Sequence, residues 1–259
     1  MTLPASAEVL APPGWQCIEF ISDLHLGPDT PHTFAAWAHY LQHTQADAVY
    51  LLGDVFEVWV GDDAAAEPGS FEQRCVTVLR QAAQHRRIGF MAGNRDFLLG
   101  QALLEALGLQ ALHDPTVFTA FGQRLLVTHG DLLCLDDSDY QAFRRQVRSP
   151  AWQQAFLAQP LALRRQQARQ MRDASRAAQS GLTPDQWSEV DNHAAAHWLQ
   201  AADAPRMVHG HTHRPATHAL RFGERQVLSD WDFEAARPRG DLLRWTAGGL
   251  SRHAVAPAP

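Results

Sequence analysis

Cys17-Ile18-Glu19-Phe20-Ile21-Ser22-Asp23-Leu24-His25 is an apolar run that stops abruptly on acid and imidazole. A short run of this kind reads as a buried strand whose end carries polar groups to a rim. We read Cys17–Ile21 as the strand. Asp23 and His25 are expected on one side of an extended segment, because strand periodicity is two. The pattern recurs downstream. Ala48–Leu52 ends in Gly53-Asp54, Ile88–Met91 in Gly93-Asn94-Arg95-Asp96, Arg124–Thr128 in His129-Gly130-Asp131, and Arg206–Val208 in His209-Gly210-His211-Thr212-His213. His211 and His213 repeat the spacing of residues 23 and 25. Five stretches thus offer Asp, Asn or His at strand ends, where ligands gather in α/β folds.

Helices are expected between these strands. Thr30 and Pro31 read as N-cap and first helical residue, followed by Phe34, Trp37 and Leu41 at helical spacing. Phe71–Ala83 presents Phe71, Cys75, Val78 and Leu79 on one face, and a further helix runs up to Gly108. This alternation argues for an α/β core. Residues 136–200 differ: strand signals vanish, and helices rich in Arg, Gln and Ala are expected, the first capped by Asp137 or Ser138 and keeping Tyr140, Phe143 and Val147 in step. Arg165, Arg169, Arg172 and Arg176 recur at i, i+4, i+7 and i+11 and share one stripe. The organisation expected is a core of residues 15–135 and 201–250, a helical insert or lid at 136–200, and tails at 1–14 and 251–259.

Composition sets limits. With 259 residues, 46% hydrophobic and 19% charged, the chain has ample material for a core. A formal net charge of −6 argues against a general nucleic-acid binder. All 22 basic residues are Arg, so any phosphate clamp must use a guanidinium. Cys17, Cys75 and Cys134 lack metal-type spacing and read as thiols of a reducing compartment. Met1 to Gly14 has no basic region followed by an apolar run, so no signal peptide is expected. No window reaches the roughly 18 apolar residues of a spanning helix. A cytoplasmic protein, still able to touch a membrane from that side, is the expectation.

Carboxylate, amide oxygen and imidazole together suit Mn²⁺, Fe²⁺ or Zn²⁺ better than Ca²⁺, and no thiolate points to structural zinc. Each piece alone is weak, since Gly-Asp and Gly-Asn are ordinary turn chemistry. The ordered set is another matter. Asp23-x-His25, Gly53-Asp54, Gly93-Asn94, His129-Gly130 and Gly210-His211-x-His213 resemble, in order, the calcineurin-like metallophosphoesterase superfamily. The resemblance implies a sandwich of two β-sheets flanked by helices. It implies one metal on Asp23, His25 and His213, a second on Asn94, His129 and His211, and Asp54 bridging both. Two divalent ions about 3.5–4 Å apart can activate a shared water and offset charge on phosphoryl oxygens.

Many members of that superfamily have Gly-Asn-His where this chain has Gly93-Asn94-Arg95. Arg cannot act as a general acid near neutrality, but it grips phosphate with two parallel hydrogen bonds. This points to a leaving group that needs no proton, such as a phosphate leaving a pyrophosphate. The alternative for Arg95 is a simple ion pair with Asp96 or another carboxylate. The residues expected to carry catalysis are Asp54, Asn94, Arg95 and His211.

A closer resemblance is to the UDP-2,3-diacylglucosamine diphosphatase family of the lipid A pathway. It is carried by Phe20–Leu26, Gly53–Glu57, Gly61-Asp62-Asp63, Gly93–Gly100, Tyr140–Arg144 and His209–Pro215, and covers most of residues 16–245. It implies attack at the α-phosphorus of UDP-2,3-diacylglucosamine, giving UMP and 2,3-diacylglucosamine 1-phosphate (lipid X), with Mn²⁺ as metal and peripheral attachment to the cytoplasmic face of the inner membrane. The insert fits such a substrate, since Phe143, Trp152, Phe156, Leu157, Leu161 and Leu163 flank the Arg stripe. The other reading of that stripe is a solvated face. Substrate contacts are implied at Asn94, Arg95, Asp137, Ser175 and His211. Two further family positions, an Asn and a Lys, align with Gln179 and Leu182. Leu182 cannot bind phosphate, which leaves Arg172 or Arg176 to take that contact, or a slip in the alignment. The rivals are a soluble nucleotide or dinucleotide phosphohydrolase with the same metals, and a non-catalytic metal-binding scaffold. Metal identity, acyl-chain length and oligomeric state stay open.

Overall fold

A computed structural model of the chain describes residues 2–180 and 188–259; the side chains of Ser175, Arg176, Ala178, Gln179 and Ser180 fall outside that description. Two six-stranded sheets form its centre. The first runs Gly249–Ala254 (β12), Asp241–Thr246 (β11), Ile18–Ile21 (β2), Ala48–Leu52 (β3), Arg87–Met91 (β4) and Gln110–Leu112 (β5). From β2 to β5 it is parallel, while β11 and β12 extend it antiparallel. The second runs Ala7–Leu10 (β1), Thr116–Ala120 (β6), Gln123–Val127 (β7), Arg206–His209 (β8), Gly223–Val227 (β10) and Thr217–Leu220 (β9). In it β7, β8 and β10 are mutually parallel.

Strand alternation sorts the apolar residues into layers. Ile18 and Phe20 of β2, and Ala48, Tyr50 and Leu52 of β3, meet Phe118, Leu125, Val127 and Val208 between the sheets. Their neighbours Ile21, Val49 and Leu51 turn the other way, onto Pro31–His43 (α1) and Phe71–Ala83 (α2). Burial on both faces is why β2 and β3 read as unbroken apolar runs. Gly89 of β4 is required by closeness: a Cβ there would collide with the Tyr50 ring.

Several expectations are corrected. Residues 7–10, expected in a tail, form β1 beside β6, and residues 251–254, also expected in a tail, belong to β12. Thr30 stands at the N-cap position of α1 but makes no capping bond; its hydroxyl accepts from Gly27 N at 2.9 Å instead. The free N–H groups of α1 are met by Glu234, from 202 residues away, through His32 N at 2.6 Å and Thr33 N at 3.2 Å. A carboxylate there also suits the positive end of the helix dipole. The helix before Gly108 is Gln101–Leu107 (α3), closed by Gly108 in the left-handed region at φ 77.

The insert begins with Ser138–Val147 (α4), Pro150–Leu157 (α5) and Leu161–Ser180 (α6). Phe156 is buried and Trp152 lies 6.3 Å from Phe97, so α5 sits on the core. Arg164 anchors α6: it is 3% exposed, bonds Val60 O at 2.5 Å and pairs with Asp63. Asn192–Ala201 (α7), expected within the insert, packs on the second sheet through Ala195, Trp198 and Leu199 against Val117, Leu126 and Met207.

Candidate metal centre

Parallel pairing of β2, β3 and β4 in one sheet, and of β7 and β8 in the other, brings their carboxyl ends to a common rim. There the backbone departs from the extended path expected for Asp-x-His. Asp23, His25, Asp54, His211 and His213 all lie in the left-handed region, at φ 55, 47, 52, 68 and 54. Non-glycine residues rarely adopt it, and such strain clusters at functional sites. The pairs 23/25 and 211/213 are therefore aimed by residues in the left-handed region and not by strand alternation. Asp23 and His211 are held through the backbone, since His211 N donates to the Asp23 carboxylate at 3.0 Å. Glycine makes the approach possible: a Cβ on Gly93 would strike Asp54 Oδ1, and one on Gly210 would strike Asp23 Oδ2.

All seven residues expected as ligands converge. His25 Nε2 lies 3.1 Å from His213 Nε2, and His213 Nε2 lies 3.3 Å from Asp23 Oδ1. Potential ligand atoms of Asp23, His25 and His213 are within 4.8 Å of one another, as are those of Asp23, Asp54 and His129. Asp23 is thus common to both groups. Asn94 Oδ1 sits between His129 Nε2, at 3.0 Å, and His211 Nδ1, at 2.9 Å. Asp23, Asp54 and His129 are buried, whereas the His25 and His213 side chains are 20% and 35% exposed. The centre is closed from below and open on the side of those two imidazoles.

The donor chemistry fits divalent cations. His129 Nδ1 is 2.9 Å from Leu52 O, and a carbonyl only accepts, so Nδ1 carries the proton. In the neutral ring, Nε2 then points a lone pair at Asn94 Oδ1, with Asp54 Oδ1 only 3.7 Å away. Such a convergence of acceptors needs a proton or a cation between them. The field agrees: burial alone would lower the His129 pKa, yet Asp54, Asp131 and Asp23 push it up to about 9. Burial and the charge of His129 take His211 down to about 4, which keeps a neutral imidazole available as a ligand. Burial would raise Asp23, but His213, His129 and His25 hold it below the usual carboxylate range.

A surrounding layer went unread in the sequence. Asp96 clasps two loops, accepting from Gly93 N at 2.8 Å and from Val55 N at 2.8 Å. Burial and the neighbouring Asp54 raise its pKa to about 6. With both oxygens engaged by backbone, Asp96 does not pair with Arg95. The Arg95 Nε is buried and has no hydrogen-bond partner among the described residues. Its charge is felt by Glu57: burial would raise that carboxylate, but His25, Arg95 and Arg172 hold it below its ordinary value. Asp131 accepts from Tyr140 Oη at 2.6 Å and Arg144 Nε at 2.7 Å, which ties α4 to the His129 loop. In the sequence these acids are marked by their place beside the expected ligands, within the same motif stretches, and not by any pattern that shows what they bind.

The insert residues fare differently. Asp137 takes the helix-capping role, accepting from Tyr140 N at 2.9 Å. Arg172 meets Glu57 at 2.6 Å, and Arg165 meets Glu67 at 2.8 Å, so two members of the Arg stripe are tied down as ion pairs. The expected contacts through the Ser175 and Gln179 side chains, through Arg176 and through Leu182 lie outside the described residues. No helix among the described residues is long and apolar enough to cross a membrane.

Comparison with known proteins matches this arrangement. The family model for calcineurin-like phosphoesterases matches residues 18–215. The chain is 42% identical to a UDP-2,3-diacylglucosamine hydrolase of Stenotrophomonas maltophilia, over 92% of this chain and 98% of that protein. It is 44% identical to one of Chromobacterium violaceum, over 90% and 96% respectively. A relative from Xanthomonas campestris with the same name is 43% identical over 92% and 98%. The chain belongs to the calcineurin-like phosphoesterases and, among them, to the family of the UDP-2,3-diacylglucosamine hydrolases.

Proposed function

We propose that the chain hydrolyses the pyrophosphate of UDP-2,3-diacylglucosamine at the α-phosphorus, releasing UMP and 2,3-diacylglucosamine 1-phosphate in lipid A biosynthesis. The observation that carries this reading is Arg95: a guanidinium beside the ligand cluster, not engaged by the adjacent Asp96, where a proton donor would serve an alkoxide leaving group. A phosphate leaving group needs charge neutralisation, which Arg supplies with a planar fork of donors.

Asp23, His25 and His213 would hold one cation and Asn94, His129 and His211 the other, with Asp54 between them; Mn²⁺ is the ion we assign. When bound, the pair supplies an activated water and offsets charge on the phosphoryl oxygens. The protein does the rest. Leu52 O fixes the His129 tautomer, and the Arg95 N–H holds Asp54 Oδ1 at 2.8 Å. Arg95 and Asn94 orient the diphosphate, and His211 closes the site from the second sheet. Helices α4 to α6 act as a lid, Asp137 offering its carboxylate from the start of α4 and Arg172 standing over the centre through Glu57, while the contacts expected of Ser175, Gln179 and Leu182 lie outside the described residues. The exposed Phe143, Leu157, Leu163 and Met171 give the lid apolar surface for acyl chains, in keeping with peripheral work at the cytoplasmic face of the inner membrane.

Hydrolysis in ¹⁸O-enriched water with Mn²⁺ tests the site of attack. The label is expected in UMP; label in the acylated sugar phosphate would contradict attack at the α-phosphorus.

A further inference from the structure

Glu57 lies three residues beyond Asp54, and backbone pairing fixes its place before side chains enter. His25 N donates to Asp54 O at 3.0 Å, Leu26 N to Val55 O at 2.9 Å and Glu57 N to Leu26 O at 3.0 Å. The segments that carry His25 and Asp54 therefore run side by side, with Glu57 at their end. Its two oxygens face in different directions. Glu57 Oε2 is 3.3 Å from His25 Nδ1, while Oε1 is 2.6 Å from Arg172 Nε of α6. Both nitrogens are buried, and neither has an aligned hydrogen-bond partner among the described residues. Glu57 is the acceptor at hand for each.

The other nitrogen of His25 points into the centre, 3.1 Å from His213 Nε2. A carboxylate at Nδ1 selects the tautomer that leaves Nε2 unprotonated and makes it a stronger ligand. The same carboxylate holds the insert through Arg172. We propose that Glu57 is a positioning residue that couples the helical insert to the metal centre, aiming His25 with one oxygen and anchoring Arg172 of α6 with the other. Coupling of this kind is reciprocal. Cation binding at His25 orders α6, and release of Arg172 weakens cation binding. The inference rests on His25 being a ligand.

The test uses the full-length chain without substrate. Mn²⁺ affinity is measured by the loss of the free-ion electron paramagnetic resonance signal, and hydrogen exchange is followed in α6 peptides with and without Mn²⁺. Glu57→Gln is expected to weaken one of the two sites about 10- to 100-fold and to abolish the Mn²⁺-dependent protection of α6. Arg172→Gln should weaken the same site by at least about fivefold, while Gln170→Ala, exposed on the same helix, leaves it unchanged. Arg172→Gln approaches the coupling from the insert and serves even if Glu57→Gln does not fold. Wild-type affinity at both sites in Glu57→Gln or Arg172→Gln would overturn the proposal, as would α6 protection that ignores Mn²⁺ in the wild type. His25→Ala separates the two levels. If it keeps both Mn²⁺ sites, the ligand assignment fails; if it loses one while Glu57→Gln keeps both, only the coupling fails.

Discussion

Arg144 donates to the Asp131 carboxylate at 2.7 Å, two residues beyond His129, and so fastens the first helix of the insert to a loop of the metal centre. Asp131 is fully buried, and the Arg144 side chain is 15% exposed. Burial would raise the Asp131 pKa, but His129 and Arg144 keep it ionised and below the ordinary range. Removing one partner of a buried pair leaves an uncompensated charge, which costs more than the pair contributes. Arg144→Met should therefore lower stability by roughly 3 kcal/mol, read from the shift in denaturant midpoint. The double variant Arg144→Met/Asp131→Asn should recover most of that loss. A single variant within about 0.5 kcal/mol of the parent, the range of surface changes, would show the pair to be slack.

Asp54 gives the sharpest test of the centre itself. Its side chain is 3% exposed and close to both Asp23 and His129. Asp54→Ala should abolish turnover while the far-ultraviolet circular dichroism spectrum stays that of the parent, since the surrounding strands are held by their own apolar layers. Parent-like turnover in this variant would contradict two-metal catalysis.

For Arg95 the prediction divides charge from geometry. Arg95→Ala should cut turnover of the diphosphate about 100- to 1000-fold, the cost of removing a donor aimed at developing charge. Arg95→Lys keeps the charge but loses the fork, and should recover only part of it. Steady-state kinetics check both, and equal activity in all three proteins would return Arg95 to a structural role.

How much of this could be read from the sequence depends on which physics marks a residue. The seven residues expected as ligands were legible because each follows a strand buried on both faces, and an apolar run that ends on Asp, Asn or His is conspicuous. Their backbone was not. Asp23, His25, Asp54, His211 and His213 are left-handed, a conformation Asp and His adopt more readily than most non-glycine residues but still seldom, so their types give only a weak signal. Edge strands escaped for a different reason. β1 is half exposed along its length, so it has no apolar run to find. Contacts between distant segments were invisible, as with Glu234 on α1 and Glu57 on Arg172. A helical stripe marks a face of α6 but not that Arg164, one residue off the stripe, is the buried member.

Asp137 illustrates two roles that one substitution would confuse. As an N-cap its loss costs about 1 kcal/mol, and Asp137→Ser, a good cap, should restore that stability. If Asp137 also touches substrate, Asp137→Ser will regain stability without regaining the parent KM. Thermal unfolding and KM measured on both Asp137→Ala and Asp137→Ser separate the roles; full recovery of KM in the Ser variant would confine Asp137 to capping.

The central claim joins a metal centre suited to phosphoester hydrolysis with an insert that selects a lipid-linked diphosphate. Its most direct test is the rate of UMP release, with Mn²⁺, from UDP-2,3-diacylglucosamine, UDP-N-acetylglucosamine and a dinucleoside polyphosphate under one set of conditions. UMP should form from the diacylated substrate far faster than from UDP-N-acetylglucosamine, with the dinucleotide left nearly uncut. Equal rates on all three would contradict the lipid assignment.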